Sequence, residues 1–475
     1  MLFESFFLNV FIILVLIISL LYDYITKFFS YWYVRHIPYK TPIPCFGSDY
    51  KRVLGLTDTT ETVEKLYFKH PKEKYVGYIK ARMPDLIVRD LDVIQQILSS
   101  EFAHFNNKGL CLDKSPDICI KNNLFYVEGE KWTLLRKQID AILSNTLSWD
   151  ISDRINVKTK EQSPGKVNIN EFLVRTMDKL LVDNIIESDI LTEFVQRLRC
   201  SVQRRSLVNR FKSYLKTIFP SLYTAFGINT VDMSLMRYGR DLLSKSDDKG
   251  ILFHNHILQK NKLLKINTEL DKLDNTMSNL YSIINEAYIP CYNIVIAILY
   301  ELAKNIDFQS KIKEAIESQR GKVNGNEDYL DAVIKEAIRL YPPYSIITRK
   351  CMKAYKFPET DILIDKGVTV SIPLEAIQKD STYFEDAEKF DPERFVRGND
   401  NILHAYIPFG AGPRRCPGEA VAHKIIRAIV SSILIQYRLE PCSETPERLI
   451  YKDYNFQRVL SHDVWLNMTW FEPLV

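Results

Sequence analysis

The chain opens with an unbroken apolar stretch that predicts a helix of its own. Residues 5–22 read SFFLNVFIILVLIISLLY and carry no charge. Eighteen such residues are close to the shortest helix that spans a bilayer. We therefore predict a membrane anchor within residues 1–29. A helix buried in the protein core is a weaker alternative, because no face of this stretch is polar.

Charged residues next to the apolar stretch predict its orientation. Lys27, Arg35 and Lys40 follow it, and Asp23 is the single acid on that side. The positive-inside rule then places the body of the protein in the cytosol. A cleaved signal peptide is the main alternative, but a basic start and a small-residue cleavage site are both missing.

Beyond the anchor, the pattern predicts one large, mostly helical body over residues 30–475. Residues 36–47, HIPYKTPIPCFG, contain three prolines, so we predict a stiff linker there rather than a helix. Apolar residues from 276 to 305 recur at spacings of three, four and seven, which predicts one long helix. Residues 86–90 and 362–373 are the strand candidates.

Composition narrows the class of protein only slightly. The 475 residues are 46% hydrophobic and 26% charged, with a net charge of +4, as in ordinary globular proteins. That balance gives no reason to expect a nucleic-acid partner. The eight cysteines form no C-x-x-C pair, so we interpret most of them as reduced and buried.

One cysteine has surroundings that demand chemistry. Residues 408–420 read PFGAGPRRCPGEA, and apolar pairs then recur every four residues, which predicts a helix from about Gly418. Cys416 lies just before that helix N-terminus, where the dipole favours a negative sulfur. A thiolate so placed can bind iron or act as a nucleophile. No sequence feature locates the histidine base that a nucleophile needs.

This loop resembles the haem-binding loop of the cytochrome P-450 family. Three further segments resemble motifs of the same family, and all four come in the family's order. The pattern in the loop is Phe409-x-x-Gly412-x-Arg414-x-Cys416-x-Gly418. The other segments are WTLLR with Trp132 and Arg136, KEAIRLYPP with Glu336 and Arg339, and FDPERF with Arg394.

The closer resemblance is to insect-type microsomal enzymes, in the clan that contains the vertebrate drug-metabolising ones. It rests on residues 86–98, 102–109 and 299–305, and the overall resemblance covers nearly the whole chain. It implies the mainly α P-450 fold with a small β region and haem b between two helices. It also implies a single-pass anchor in the endoplasmic reticulum membrane, with the catalytic domain in the cytosol.

The resemblance implies roles for the residues of these motifs. Cys416 would bind the haem iron, and Phe409 and Gly418 would lie beside the haem. Arginine pairs bidentately with carboxylate, and an indole N–H is a further donor. The residues of these motifs implied to bind the propionates are Arg136, Arg414 and Trp132. Arg349 stands in TRKC, which is no distinctive motif, and is either a further propionate ligand or an ordinary surface arginine. Glu336, Arg339 and Arg394 would form an ion-pair cluster that fixes the segment before the cysteine loop.

The predicted long helix departs from the family at residues 286–290, which read EAYIP. The family's acid and alcohol positions are Ile289 and Pro290, and neither side chain passes a proton. Proline in a helix interior costs about 3 kcal/mol. We hypothesise that Glu286, one turn earlier, faces the haem and supplies protons. The alternative is sequence drift, with Glu286 exposed or paired structurally.

Two smaller features complete the expectations. Gln378 and Ser381 stand where the family usually has histidine and proline, which affects local packing. A basic patch on the side of the cysteine loop is predicted to dock an acidic redox partner, although a solvated face explains it equally well. The patch consists of Lys131, Arg136, Lys137, Arg415, Lys424 and Arg427.

The leading function is a membrane-bound haem-thiolate monooxygenase acting on a lipophilic small molecule. It would use dioxygen and electrons from an NADPH-dependent reductase, with cytochrome b5 as a further donor, next to membrane lipid. A haem-thiolate isomerase or dehydratase acting on a peroxide is the alternative, since it needs no acid–alcohol pair. An inactive haem-binding paralogue is a third reading. Segments 105–125 and 200–230 would contact the substrate.

Overall fold

The computed structural model describes most of the chain, with gaps between the described ranges. These are residues 2–44, 46–48, 50–53, 60–80, 83–110, 112, 114–146, 163–181, 192–203, 206–245, 269–319, 329–358, 360–398, 400–454 and 457–470. Cys45 and Cys111 lie outside them. The chain divides into two compact units: residues 1–109 with 346–376, and residues 110–345 with 377–475.

Helices dominate the described residues. In chain order they are α1 Leu2–Thr26, α2 Tyr50–Val53, α3 Glu61–Lys69, α4 Leu91–Leu98, α5 Ile118–Lys121, α6 Gly129–Thr146, α7 Ile169–Leu181, α8 Thr192–Gln203, α9 Leu207–Ile218, α10 Pro220–Ala225, α11 Met233–Lys245, α12 Glu269–Ser282, α13 Ile289–Lys304, α14 Ile306–Gln319, α15 Tyr329–Leu340, α16 Leu374–Gln378, α17 Glu393–Arg397, α18 Asp400–Ala405 and α19 Glu419–Gln436. A π-helical segment, Ile283–Tyr288, joins α12 to α13.

Short strands form the small β region. They are β1 Tyr75–Lys80, β2 Met83–Val88, β3 Gly165–Asn168, β4 Ile347–Lys350, β5 Tyr355–Lys356, β6 Leu363–Ile364, β7 Thr369–Ile372, β8 Tyr437–Pro441, β9 Tyr451–Tyr454, β10 Gln457–Leu460 and β11 Trp465–Trp470. The first unit holds the sheet β1-β2-β7-β4 and the pair β5-β6, and the second holds β3-β11-β8 and the pair β10-β9.

Helix α1 lies within the predicted anchor, residues 1–29, and extends the uncharged stretch 5–22 at both ends. Its stretch Phe6–Thr26 has 21 residues, none of them buried inside the protein, and it is about 30 Å long, enough to cross a bilayer. In the described part of the chain, one other helical stretch, Leu273–Lys304, has the length and composition for this. That stretch is mostly buried, as expected of a core helix.

The predicted linker is bonded to the first sheet. The Gly77 N–H donates to the Pro38 carbonyl at 2.9 Å, and the Lys40 N–H donates to the Gly77 carbonyl at 3.3 Å. Trp32 lies against Gly77 so closely that a Cβ there would come within 2.4 Å of the indole. The prolines therefore lead the chain along β1, and only glycine fits beneath Trp32.

Both predicted strands form, with different limits. Of the predicted residues 86–90, residues 86–88 belong to β2, which begins earlier, at Met83, and ends at Val88. Asp90 instead caps α4 by accepting the Val93 N–H at 3.1 Å. Residues 362–373 become two strands in separate sheets, β6 and β7. A turn at Gly367, with φ of +99°, separates them.

The predicted long helix is the centre of the second unit. All residues of α13 from Ile289 to Ala303 are buried, and they belong to an apolar core shared with α7, α15, α19 and β8. The helical path runs from α12 to α13 as predicted for 276–305, but it is interrupted by the π-helical segment. The interruption includes Glu286 and ends directly before Ile289 and Pro290, which stand at the family's acid and alcohol positions.

Candidate functional site

The cysteine loop, residues 409–418, is closed by its own backbone. The Cys416 N–H donates to the Phe409 carbonyl at 2.9 Å. Gly410 and Gly412 have φ of 73° and 67°, a conformation that side chains other than glycine rarely adopt. The two glycines thus allow the turn that brings Cys416 back beside Phe409.

Cys416 is half-buried at the start of α19. Gly418 occupies the N-cap position of that helix, which starts where the sequence predicted it. A Cβ added to Gly418 would meet no atom within 4 Å, so the space beside the loop is open. The unpaired N–H groups of a helix N-terminus favour the ionised form of a thiol placed there.

Arg136 on α6 fastens this loop. Its Nη1 donates to the carbonyls of Pro413 and Arg415, at 3.2 and 2.5 Å. Its Nε lies 2.9 Å from both carboxylate oxygens of Asp140, one turn further along the helix. The sequence predicted a propionate partner for Arg136 but missed this contact with the loop carbonyls. In the sequence, the i, i+4 spacing of Arg136 and Asp140 indicates that these two residues pair. It does not indicate the contact of Arg136 with the loop.

Trp132 and Arg414 lie together beside the loop. The Arg414 guanidinium is 4.5 Å from the centre of the Trp132 ring, and its Nη2 donates to the Val127 carbonyl at 3.3 Å. Burial lowers the pKa of Arg414 to about 10. An anionic group placed next to Arg414 would offset that cost of burying its charge.

The structure also brings together Glu336, Arg339 and Arg394. Arg339 Nε and Nη2 donate to the Glu336 carboxylate at 2.8 and 2.9 Å, and both side chains are fully buried. Arg394 Nε donates to the same carboxylate at 3.1 Å. Gln378 completes the cluster: its carbonyl accepts from Arg339 Nη1 at 2.6 Å, and its amide donates to the Arg339 carbonyl at 2.9 Å.

The π-helical segment Ile283–Tyr288, called the helix break from here on, places Pro290 where a proline is tolerated. The Ile289 N–H donates to the carbonyl of Ile284, five residues back. Pro290 follows directly, in the first turn of α13, and has no N–H to donate to the preceding turn. Because Ser282, Tyr288 and Ile289 all keep helical backbone angles, the proline lies in a continuous helical path whose hydrogen bonds are widened by the π-helical segment before it.

Side chains from distant segments hold this break. The Gln457 amide donates to the Asn285 carbonyl at 2.6 Å, which replaces the helical N–H that the break takes away. The Tyr288 hydroxyl donates to buried Asp178 at 2.7 Å, and Asp178 is paired with Arg199 at 3.2 Å. The π-helical segment is therefore fixed from two sides.

Glu286 lies in the break and lines a cavity. Its carboxylate accepts from the Asn123 amide at 3.2 and 3.3 Å and from the Asn285 amide at 3.0 Å. Burial raises the pKa of Glu286, while these amides and the charge of Lys216 act against that rise. Of the two readings of Glu286, the structure rules out full exposure, since the side chain is only partly accessible.

Comparisons with known proteins agree with this geometry. The model of the family described as Cytochrome P-450 matches residues 184–462, more than half of the chain. The chain belongs to the cytochrome P-450 family. It is 27% identical to cytochrome P-450 6B2 of Helicoverpa armigera, over 94% of this chain and 95% of that protein. It is 26% identical to cytochrome P-450 6j1 of Blattella germanica, over 95% of each.

Membership makes this an insect-type P-450 with the mainly α fold of the family, whose members are haem-thiolate monooxygenases. The residues around the cysteine loop fit the haem cofactor that the family implies. A single half-buried thiol at a helix start suits iron, the open space beside Gly418 admits a flat ring, and Arg414 suits an anionic edge.

The cysteine loop and the helix break of this P-450 lie within electrostatic reach of each other. Burial, and to a smaller extent the charge of Cys416, raises the pKa of Cys291, the residue after Pro290, to about 12. Burial raises the pKa of Tyr344 as well, with contributions from Glu286 and Cys416. Cys291 on α13 is thus influenced by the cysteine, and Tyr344, before β4, by both the cysteine and the glutamate.

Arg349 is also a predicted site residue. It lies on β4 in the first unit, is buried, and donates from Nη1 to its neighbour's carbonyl at 2.9 Å. Its role with a haem propionate stays a prediction.

The predicted basic patch is partly neutralised. Arg136 is paired with Asp140, Arg415 with Glu419 at 2.6 Å, and Arg427 with Asp331 at 2.8 Å. Half of its six basic residues thus carry an acidic partner, and the attraction for an acidic redox protein is weaker than the sequence alone indicates.

Proposed function

We propose that the protein is a membrane-bound monooxygenase in which the Cys416 thiolate holds the iron of haem b. The observation that carries the proposal is the closed loop that presents Cys416 at the N-terminus of α19. When bound, the haem supplies the activation of dioxygen. Arg414 and Trp132 would orient it through a propionate, Arg349 would add a further donor, and Arg136 would hold the loop around the thiolate.

The surroundings of the reaction follow from the anchor and the relatives. Helix α1 would hold the protein in the endoplasmic reticulum membrane with its body in the cytosol. There a lipophilic substrate can enter from lipid. An NADPH-dependent reductase would supply electrons, and cytochrome b5 is a second donor. The basic patch on the side of the cysteine loop would meet an acidic partner.

Glu286 would take over the proton transfer that Ile289 and Pro290 cannot perform. Its carboxyl group lines the cavity, and burial raises its pKa while Asn123 and Asn285 stabilise the charged form. A carboxyl whose pKa is raised by burial and whose charged form is stabilised by amides can both hold and release a proton. It would pass a proton from its carboxyl oxygen to a water in the cavity and recover one from solvent.

The replacement of the acid–alcohol pair also favours a second function, the rearrangement or dehydration of a peroxide. That reaction consumes neither NADPH nor external protons, so Ile289 and Pro290 would be no handicap. The two functions predict different requirements for the same purified protein.

One experiment separates them. The purified full-length protein is reduced under carbon monoxide to establish thiolate ligation, and two assays follow on a broad substrate panel. We expect product with NADPH and reductase. Product only from hydroperoxides, without NADPH, would establish the isomerase or dehydratase instead, and no product in either assay would indicate a haem-binding paralogue without activity.

A further inference from the structure

Asn123 is fully buried, and its hydrogen bonds leave its side-chain amide a single orientation. The side-chain oxygen accepts the Phe125 N–H at 2.8 Å, so the NH2 group points the other way. This NH2 group donates to the Cys119 carbonyl at 3.3 Å and to both carboxylate oxygens of Glu286, at 3.2 and 3.3 Å. Asn123 therefore offers Glu286 a donor and no acceptor.

This donor comes from a different part of the chain than the other donors to Glu286. Asn285 and Ser282 lie beside Glu286 on its own helical path. Asn123 follows α5 and is 163 residues from Glu286. Among the described residues that line the cavity is its near neighbour Phe125, but not Asn123 itself. Any effect of Asn123 on a substrate in the cavity would thus pass through Glu286.

Asp117 fixes α5, the element that carries Asn123. One oxygen of its carboxylate accepts the Cys119 N–H at 3.0 Å and caps the helix. The other oxygen accepts the Tyr223 hydroxyl at 2.8 Å and the N–H and hydroxyl of Thr230 at 2.7 and 2.6 Å. Because α5 has only four residues, it depends on such outside contacts to keep its place. Asp117 thus ties α5 to residues 223–230.

The titratable groups that act on Glu286 are mostly neutral. Burial raises the pKa of the thiol and of each tyrosine among them, so these carry no charge near neutral pH. Lys216 is the cation in this set of described residues. An amide that donates to the carboxylate therefore has a marked effect on its protonation. The groups are Cys119 on α5, Lys216 on α9, Tyr281 on α12, and Tyr126 and Tyr344.

We propose that Asn123 is a positioning residue for Glu286 and that Asp117 keeps Asn123 in place. Asn123 holds the carboxylate in one orientation and stabilises its charged form. Glu286 thereby releases its proton to a water in the cavity more readily than burial alone would allow. Asp117 acts one step further away, by tying α5 to Tyr223 and Thr230. The inference rests on the proposed function, because it names residues that prepare Glu286 for proton transfer.

The test titrates Glu286 in the full-length, haem-loaded protein by difference infrared spectroscopy. The carboxyl band that Glu286→Gln removes, in each background, belongs to Glu286. Asn123→Asp keeps the shape of the side chain but replaces the donor by a like charge, and Asn123→Leu removes the donor. Both should move the titration midpoint to higher pH, by about one unit or more in Asn123→Asp. A midpoint that stays in place in both variants would overturn the proposal.

Asn279→Asp is the matched control for the change of charge. It converts another buried amide, on α12, whose NH2 group donates to the Asn275 carbonyl at 2.8 Å. The titration midpoint of Glu286 should stay in place in this variant. A shift equal to that in Asn123→Asp would mean that any new carboxylate in the core has this effect, and it would contradict the role of Asn123.

Asp117→Asn separates positioning from a simple effect of charge. An asparagine accepts on one side only, so either the cap of α5 or the ties to Tyr223 and Thr230 are lost. If Asp117 acts through Asn123, the midpoint of Glu286 should rise, and Asp117→Asn should add little to Asn123→Leu. A lower midpoint would mean that Asp117 acts by its charge and would contradict its positioning role. If Asp117→Asn does not fold, Tyr223→Phe, which removes one tie, takes its place.

The fraction of NADPH that appears as product, measured against pH, separates this inference from the proposed function. A proton donor must be protonated, so this fraction should fall with rising pH, and the fall should move to higher pH in the Asn123 variants. A shifted infrared midpoint with an unmoved product profile would leave the positioning intact and refute Glu286 as the proton donor. A product profile that depends on Glu286 but not on Asn123 would refute the positioning alone.

Discussion

The cysteine loop is held by contacts between residues close together in the sequence, whereas the helix break is held by contacts between distant residues. Gly410 and Gly412 shape the loop, and it is closed by a bond from Cys416 to Phe409, seven residues away. The break is fixed by side chains far along the chain, since Asn123 and Gln457 are 163 and 172 residues from their partners. Local contacts can be inferred from consecutive letters, whereas contacts of the second kind require the fold.

Removal of the Cys416 thiol is expected to have the largest effect on the cysteine loop. Cys416→Ser should abolish the absorption band of the reduced, carbon monoxide-bound thiolate complex and all turnover that depends on it, because a neutral hydroxyl does not replace a thiolate. Cys442→Ser is the matched control, since Cys442 is another half-buried thiol. An unchanged band in Cys416→Ser would assign the ligand to another residue.

The ion-pair cluster tests whether the segment before the loop depends on buried charge. Glu336→Gln leaves Arg339 and Arg394 without their shared carboxylate, and the free energy of unfolding should fall by about 3–5 kcal/mol. Denaturant unfolding of the haem-loaded protein measures it. Lys311→Met removes an exposed pair and should cost less than about 1 kcal/mol. Equal losses in the two variants would mean that burial is not what matters.

Gln457→Met tests whether side chains hold the helix break. It removes the donor to the Asn285 carbonyl, so backbone amides of residues 283–289 should exchange with deuterium about two- to tenfold faster. Asn293→Leu is the matched control, because the Asn293 amide donates to the Arg458 carbonyl at 3.0 Å, also between α13 and β10 but beyond the break. If both variants accelerate exchange equally in 283–289, Gln457 has no special role.

The smallest expected effect concerns the pH dependence of stability. Because burial raises the pKa of Glu286 above 4.5, the folded protein binds this proton more tightly than the unfolded chain. The stabilisation is complete below pH 4.5 and is lost as the pH rises through the folded-state pKa. The unfolding free energy of the wild type relative to Glu286→Gln should therefore fall above pH 4.5. A relative rise would mean that the amides lower this pKa instead.

The sequence predicted the features that depend on neighbouring residues. The anchor, the start of α19 after Cys416, and the order of the four P-450 motifs could all be inferred from spacing and resemblance. The π-helical turn could not, because a proline in a helical pattern indicates a kink but not that the hydrogen bonds of the preceding turn span five residues instead of four.

The other contacts that could not be predicted join residues far apart in the sequence. Gln457 and Asn123 look like ordinary polar residues in sequence, and only the fold brings them to Asn285 and Glu286. The same holds for α9, whose period predicts an amphipathic helix but not which face is turned inwards.

We propose above that Glu286 supplies the protons that the P-450 family usually obtains from the acid–alcohol pair. The most direct measurement is the fraction of consumed NADPH that appears as oxygenated product, in wild type and in Glu286→Gln, with Glu301→Gln as the buried-carboxylate control on α13. We expect the fraction of NADPH that appears as product to fall about tenfold or more in Glu286→Gln but not in Glu301→Gln. An unchanged fraction in Glu286→Gln would contradict it.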